Sequence, residues 1–110
     1  MKRKVAVIAD GTAAVPPAVA AEYDIGILPF HVIVDGQDYI DAVVDLQWLF
    51  NRLEARENLP TTAAPSIGEA LQAFDWAAER ADSAIMIHLT SAFSKSFESG
   101  LAARTLALEK

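Results

Sequence analysis

The sequence predicts an α/β fold: a mainly parallel sheet flanked by helices, with one small β-hairpin. Three observations lead there. Short apolar runs rich in β-branched residues alternate with segments of helical spacing. Asp35-Gly36 sits between apolar residues, the strongest short hairpin signal. The 110 residues contain no cysteine, so one hydrophobic core without disulfides has to hold the chain together. Alternating strands and helices favour parallel neighbours, because each parallel pair needs a crossover and that crossover is right-handed.

Lys4–Ala9, KVAVIA, is the first buried strand, closed by the turn residues Asp10-Gly11-Thr12. Pro16-Pro17 suits a first helical turn, and Pro17–Tyr23 is the expected helix. Ile25–Phe30 reads as a second buried strand, and His31–Val34 continues extended into the hairpin turn. Asp45 is an N-cap candidate for a helix whose Leu46, Leu49, Phe50 and Leu53 share one face. That helix should end near Glu57 or Asn58 and pack its apolar face on the sheet. After a loop containing Thr61-Thr62, Ser66 and Glu69 have capping-box spacing, and Ile67, Leu71, Phe74 and Ala78 supply a buried stripe. Ser83–Leu89 is the next expected buried strand. Thr90–Ser96 then leads into a last helix with Phe97, Leu101 and Leu108 near one face.

Fifteen acidic against nine basic residues leave a net charge of −6, which argues against nucleic acid, since phosphate binding needs clustered Lys and Arg. The basic start is followed by an apolar run that Asp10 interrupts, too short for a signal segment or a membrane span. With cysteine absent, a cytoplasmic address is the expectation.

In a parallel α/β sheet, ligands sit beyond the carboxyl ends of the strands. Asp10–Thr12 and Thr90–Ser96 both follow strands and should share that edge. Thr12, Thr61, Thr62, Ser66, Thr90, Ser91, Ser94 and Ser96 are a dense supply of hydroxyls, which suit a carboxylate or phosphate. The helix starts after Ser66 and Ser94 add free amides and partial positive charge. Each hydroxyl has an alternative reading as a simple cap or turn former. Asp10 either stabilises its own turn or accepts a metal or phosphoryl group. His88 and His31 read as hydrogen-bonded structural residues. No nucleophile elbow, glycine-rich phosphate loop or clustered metal-ligand set is present in the sequence.

Four segments in order then resemble the DegV family of fatty-acid-binding proteins. Asp10–Pro16 stands where the family has an Asp-Ser-Thr-Ala-Asp-Leu-Pro-like segment, and LPFHVIVDGQDYID is similar to its strand and hairpin. LPTTAAPS takes the place of its Pro-Thr-Thr-Ser-Gln-Pro-Ser loop, and IHLTSAFSKSFESG that of its Ser-Ser-x-Leu-Ser-Gly-Thr segment. The resemblance covers residues 1–110 as a single N-terminal α/β domain, without the family's second domain.

It implies a carrier that holds a long-chain fatty acid in a tunnel between two domains, in some members for presentation to a fatty-acid kinase. Carried over residue by residue, Thr62, Ser91, Ser94, Lys95 and Ser96 would hold the carboxylate, with Phe30, Phe93 and Phe97 as tail-wall candidates. No catalytic step, metal or further cofactor is implied. Two departures stand out: Lys95 replaces the family's glycine, and Gly11 its usual serine. Self-association is expected through the face that the second domain would cover. The rival expectations are a metal-dependent phosphoacceptor using Asp10 with Thr90 or Ser91, and a pure interaction domain.

Overall fold

The computed structural model describes residues 3–40, 45–55, 60–92 and 94–109. Strand β1 (Arg3–Asp10) lies at the centre of a parallel sheet, order β2-β1-β6, between β2 (Gly26–Leu28) and β6 (Ala81–Ile87). A second, antiparallel sheet, order β4-β3-β5, is built from β3 (His31–Val34), β4 (Gln37–Ile40) and β5 (Thr61–Ala63). The helices are α1 (Pro17–Tyr23), α2 (Leu46–Ala55), α3 (Ile67–Ala78) and α4 (Ser96–Leu108). The α/β class and the hairpin agree with the sequence reading. Asp35 (φ 51°) and Gly36 (φ 77°) both adopt positive φ, the conformation that a two-residue hairpin turn demands.

The segment expected as a loop around Thr61-Thr62 is instead strand β5, which pairs antiparallel with β3 and extends the hairpin to three strands. The second strand is shorter than Ile25–Phe30. At its start the Ile25 amide is bonded back to Ala20 of α1, and just past its end stands Pro29, which has no amide to give a ladder. Strand β6 begins at Ala81, two residues before the expected start, and ends at Ile87.

The core lies where α3 packs on one face of the parallel sheet. It consists of Ala6, Ile8 and Leu28 from the strands and Ala70, Ala77, Ala81 and Ala103 around them, with Leu71, Phe74, Trp76 and Met86 packed at its margin. Small residues sit at the closest contacts, and the burial expected on α3 and α2 is overturned in part. On α3, Ile67 and Ala78 are exposed, while Ala70 and Ala77 are buried. On α4 the buried residues are Ser96, Gly100 and Ala103, and Phe97, Leu101 and Leu108 point outward. Helix α2 does not lay its apolar stripe on a sheet: Phe50 and Leu53 are exposed, and Trp48 meets Tyr39 edge-on at 5.5 Å while Arg52 pairs with Asp35 of the hairpin turn. The side chain of Leu46 and the predicted helix end at Glu57 or Asn58 lie outside the described residues.

Strand β6 is an edge strand, and its second face is open. Ile85 and Ile87 are 54% and 52% exposed, so the expectation of a fully buried strand fails there. Val5 of β1, whose partner across the ladder is Ser83, is also exposed on that side.

Gly26 lies in β2 without a positive φ, so space rather than backbone conformation selects it. A Cβ there would stand 2.8 Å from the Trp76 ring of α3. Gly26→Ala should therefore destabilise the fold by about 1–3 kcal/mol through overpacking, read as a lowered denaturant midpoint with unchanged slope.

Candidate functional site

The site is organised around the carboxylate of Asp10, for which the sequence offers two roles, support of its own turn or acceptance of a metal or phosphoryl group. Asp10 ends the central strand and is 2% exposed. Its Oδ1 accepts from the Thr12 amide at 3.1 Å and from the Thr12 hydroxyl. Its Oδ2 accepts from the Leu89 amide at 2.6 Å and from the Ser96 hydroxyl at 3.3 Å. One side chain thus ties the loop after β1 to the loop after β6 and to the first turn of α4. These are neighbouring strands at the carboxyl edge of the sheet, with β2 on the other side of β1. Such a reversal of strand order opens a crevice between the loops.

A Ser96 hydroxyl that donates to Asp10 accepts from His88, whose Nδ1 lies 2.7 Å away, so His88 carries its proton on Nδ1. The ring meets Phe97 edge-on at 5.8 Å. Burial holds His88 below the ordinary imidazole value, against the opposing pull of the Asp10 carboxylate. His88 is therefore a neutral structural donor at neutral pH, as expected for an interior histidine. With both Asp10 oxygens occupied by donors, an incoming phosphoryl group or metal would have to break this lattice. No cluster of three His, Asp or Glu side chains suited to a metal occurs among the described residues.

Above this buried layer is an open hollow of about 610 Å³ lined by Thr12, Phe30, Val32, Thr62, Ala64, Leu89, Ser94 and Lys95. The fold brings three of the sequence-predicted site residues, Thr62, Ser94 and Lys95, to this one place, from β5 and from the turn before α4. Ser91 is separated from them by Leu89; it lines an adjoining hollow of about 320 Å³ with Met86, His88, Thr90 and Phe97. Ser96 lies beneath, 0% exposed, with its hydroxyl engaged by Asp10 and His88. Phe30 is on the hollow's wall, Phe97 is in the adjoining one, and Phe93 lies outside the described residues.

Local bonding separates the two helix starts. Ser66 and Glu69 form a complete capping box, each side chain accepting the other's amide at 3.1 and 3.0 Å. The Ser66 and Glu69 amides are satisfied and a carboxylate stands beside them, so this start does not favour an anion. At α4 the Ser94 hydroxyl accepts the Ser96 amide at 3.1 Å, and Lys95 has no ion pair among the described residues. Lys95 has φ −88°, a value open to any side chain, so replacing the family glycine introduces no backbone strain here. The contributions of Thr12, Asp10 and His88 were visible in sequence only as a hydroxyl, a turn former or phosphoryl acceptor, and an interior histidine.

Asp10→Asn tests the buried knot. An amide group would point a donor at the Leu89 or Thr12 donors, and the unsatisfied group should cost about 2–3 kcal/mol. Denaturation should show that loss, and Leu89 amide exchange should accelerate. Gly100→Ala acts from below, because its Cβ would stand 2.4 Å from His88 Nε2. It should displace the ring from Ser96 and cost about 1 kcal/mol once the better helix propensity of alanine is counted.

The DegV family model, described as an uncharacterised protein of the DegV family, matches residues 4–110. A DegV domain-containing protein of Listeria innocua is 32% identical over 108 residues, covering 96% of this chain and 38% of the relative. The fold is similar to that of a fatty-acid-binding DegV family protein from Thermus thermophilus, with TM-score 0.87 and 21% identity over 94% of this chain and 38% of that one. It is also similar to DegV of Bacillus subtilis, a fatty acid binding protein, with TM-score 0.85 and 29% identity over 94% of this chain and 37% of that one. A third similar structure is the Fatty Acid Kinase B3 protein of Streptococcus pneumoniae loaded with linoleic acid, at TM-score 0.76 and 24% identity over 97% of this chain and 38% of that one. The chain thus spans 38% of the length of the Listeria relative and a similar share of these structures. On the match to residues 4–110 and the shared fold, the chain belongs to the DegV family.

Proposed function

We propose that this chain binds a long-chain fatty acid by its carboxylate, without a chemical step of its own, and supplies the head-group end of the site. The observation that carries this reading is the convergence of Thr12, Thr62, Ser94 and Lys95 on one hollow whose other walls, Phe30, Val32, Ala64 and Leu89, are apolar. Few polar groups among many apolar ones is the usual make-up of a small-molecule site. Hydroxyls and one ammonium suit a carboxylate, and they do so in a chain whose net charge of −6 would otherwise repel it. The fatty-acid ligands of the similar structures support the same ligand class. Presentation of the bound acid to a fatty-acid kinase, and a cytoplasmic location, belong to this reading. The rest of the head-group site would come from the part of the family architecture that these 110 residues do not span, as one domain of a two-domain protein.

Of the five residues expected to hold the carboxylate, Thr62, Ser94 and Lys95 are given direct contact. Ser96 is assigned the support of the loop through Asp10, and Ser91 the path of the chain beyond Leu89. The rival phosphoacceptor reading loses ground because all the oxygens it needs on Asp10 are engaged.

One observation favours a second role beside the first. Ile85 and Ile87 on the open face of β6 are exposed, with Val5 of β1 on the same side, an apolar strip that commonly marks an interaction surface. Self-association of the 110-residue chain through this strip should appear as concentration-dependent dimers or larger species in sedimentation velocity, and Ile85→Lys with Ile87→Lys should return it to monomer.

Titration calorimetry with dodecanoate tests the binding site. Thr62→Val deletes a donor and keeps the shape. One hydrogen bond to a charged group is worth about 1.5–3 kcal/mol, so affinity should fall on the order of tenfold to a hundredfold. Lys95→Gly removes a solvent-exposed charge, worth up to about 1 kcal/mol, and should weaken binding by no more than roughly fivefold. Unchanged affinity in a folded Thr62→Val protein would remove that residue from the site.

A further inference from the structure

Where the two sheets meet, an imidazole stands between two carboxylates. His31, first residue of β3, places Nδ1 2.7 Å from Asp38 of β4 and Nε2 2.8 and 2.9 Å from the two Glu69 oxygens of α3. Among the described residues these are the charged groups that face it; β5 presents Ala63 opposite. Glu69 is itself held, because its carboxylate also accepts the Ser66 amide. A carboxylate on each ring nitrogen asks both nitrogens to donate, and only the imidazolium has two N–H donors.

Accordingly the hydrogen bond to Glu69 lifts His31 above the ordinary imidazole value, against burial and with help from Asp38. Burial pushes Glu69 up, but the bonds from the Ser66 amide and His31 outweigh it, and the carboxyl lies below its ordinary value.

Strand alternation sets the consequence. His31 and Ala63 pair across the ladder and share one face, while Val32 and Thr62 pair next to them and share the other. Phe30, Val32 and Thr62 line the hollow from the antiparallel sheet and the chain leading into it, and Thr12, Leu89, Ser94 and Lys95 line it from the loops at the edge of the parallel sheet. The grip on α3 is therefore on the back of the strand pair that carries the Thr62 wall.

We propose that protonated His31 is a positioning residue for the hollow: pinned between Asp38 and Glu69, it sets how far the Thr62 wall stands from the Ser94–Lys95 wall. When the proton leaves, one carboxylate loses its donor and the antiparallel sheet relaxes from α3. The tie is fully present below the ordinary imidazole value and is lost as pH rises through the raised value of His31. Only the ligand consequence rests on the proposed function; the positioning itself does not.

The experiment is a pH titration of the 110-residue chain by NMR, following the His31 ring nitrogens and the Thr62 and Ala63 amides. His88, depressed by burial, titrates at lower pH and is separated from His31. The Thr62 amide should shift with the His31 midpoint. Asp38→Asn, at an exposed position, should move both midpoints together to lower pH, and His31→Gln should abolish the Thr62 transition. In parallel, dodecanoate affinity should fall about fivefold or more across the same midpoint in the wild type and become flat in His31→Gln. A Thr62 amide indifferent to the His31 titration, or one whose midpoint stays fixed in Asp38→Asn while the ring's moves, overturns the proposal. Linked titrations without dodecanoate binding at any pH would uphold the positioning role and remove the fatty-acid reading.

Discussion

Everything at the carboxyl edge of the parallel sheet depends on one buried carboxylate. Asp10 is taken out of water at the end of the central strand, and burying a charge there is tolerable only because four donors surround it. Those donors come from Thr12, two residues on, and from Leu89 and Ser96, 79 and 86 residues on. Satisfying Asp10 therefore brings the loops after β1 and β6 together and fixes where α4 begins. The helix start then presents Ser94 and Lys95 outward, while Ser96 is drawn inward to join Asp10 and His88. A buried polar network of this kind cannot be trimmed by halves, since each removed partner leaves another unsatisfied.

The second constraint is close approach. Helices α3 and α4 meet each other and the sheet through Ala70, Ala77, Gly100 and Ala103, so large side chains are forced to the margins. The same packing that makes a tight core leaves Phe97 and Leu101 facing out. The antiparallel sheet is joined to this body by a different device, the His31 grip on Glu69, and the hollow lies in the gap that this joint leaves between the two parts.

Local features were readable from the sequence because their causes are local. Asp35-Gly36 makes its turn through backbone conformations that few other pairs accept, and Ser66 with Glu69 closes its box within one helical turn. The strand and helix order followed from apolar spacing. Helix faces were misread where large residues were taken as the buried ones, because close packing selects small residues that carry little hydrophobic signal. Thr61–Ala63 is too short and polar to announce a strand; its partner β3 lies some thirty residues earlier. The candidate site residues were named through family resemblance; the fold brings Thr62, Ser94 and Lys95 to one hollow and sets Ser91 and Ser96 apart from it. What supports them was not legible: Asp10 meets Leu89 across 79 residues and His31 meets Glu69 across 38, contacts that no local pattern encodes.

The most direct measurement of the central claim is an NMR titration of the isotope-labelled chain with dodecanoate, reading which amides move first. The account predicts saturable shifts at Thr12, Thr62, Ser94 and Lys95, reaching Leu89 and Ser96 through the Asp10 network, with the α1 and α3 amides unmoved. Shifts confined to the exposed strip around Val5, Ile85 and Ile87, or no saturable shift at all, would contradict it.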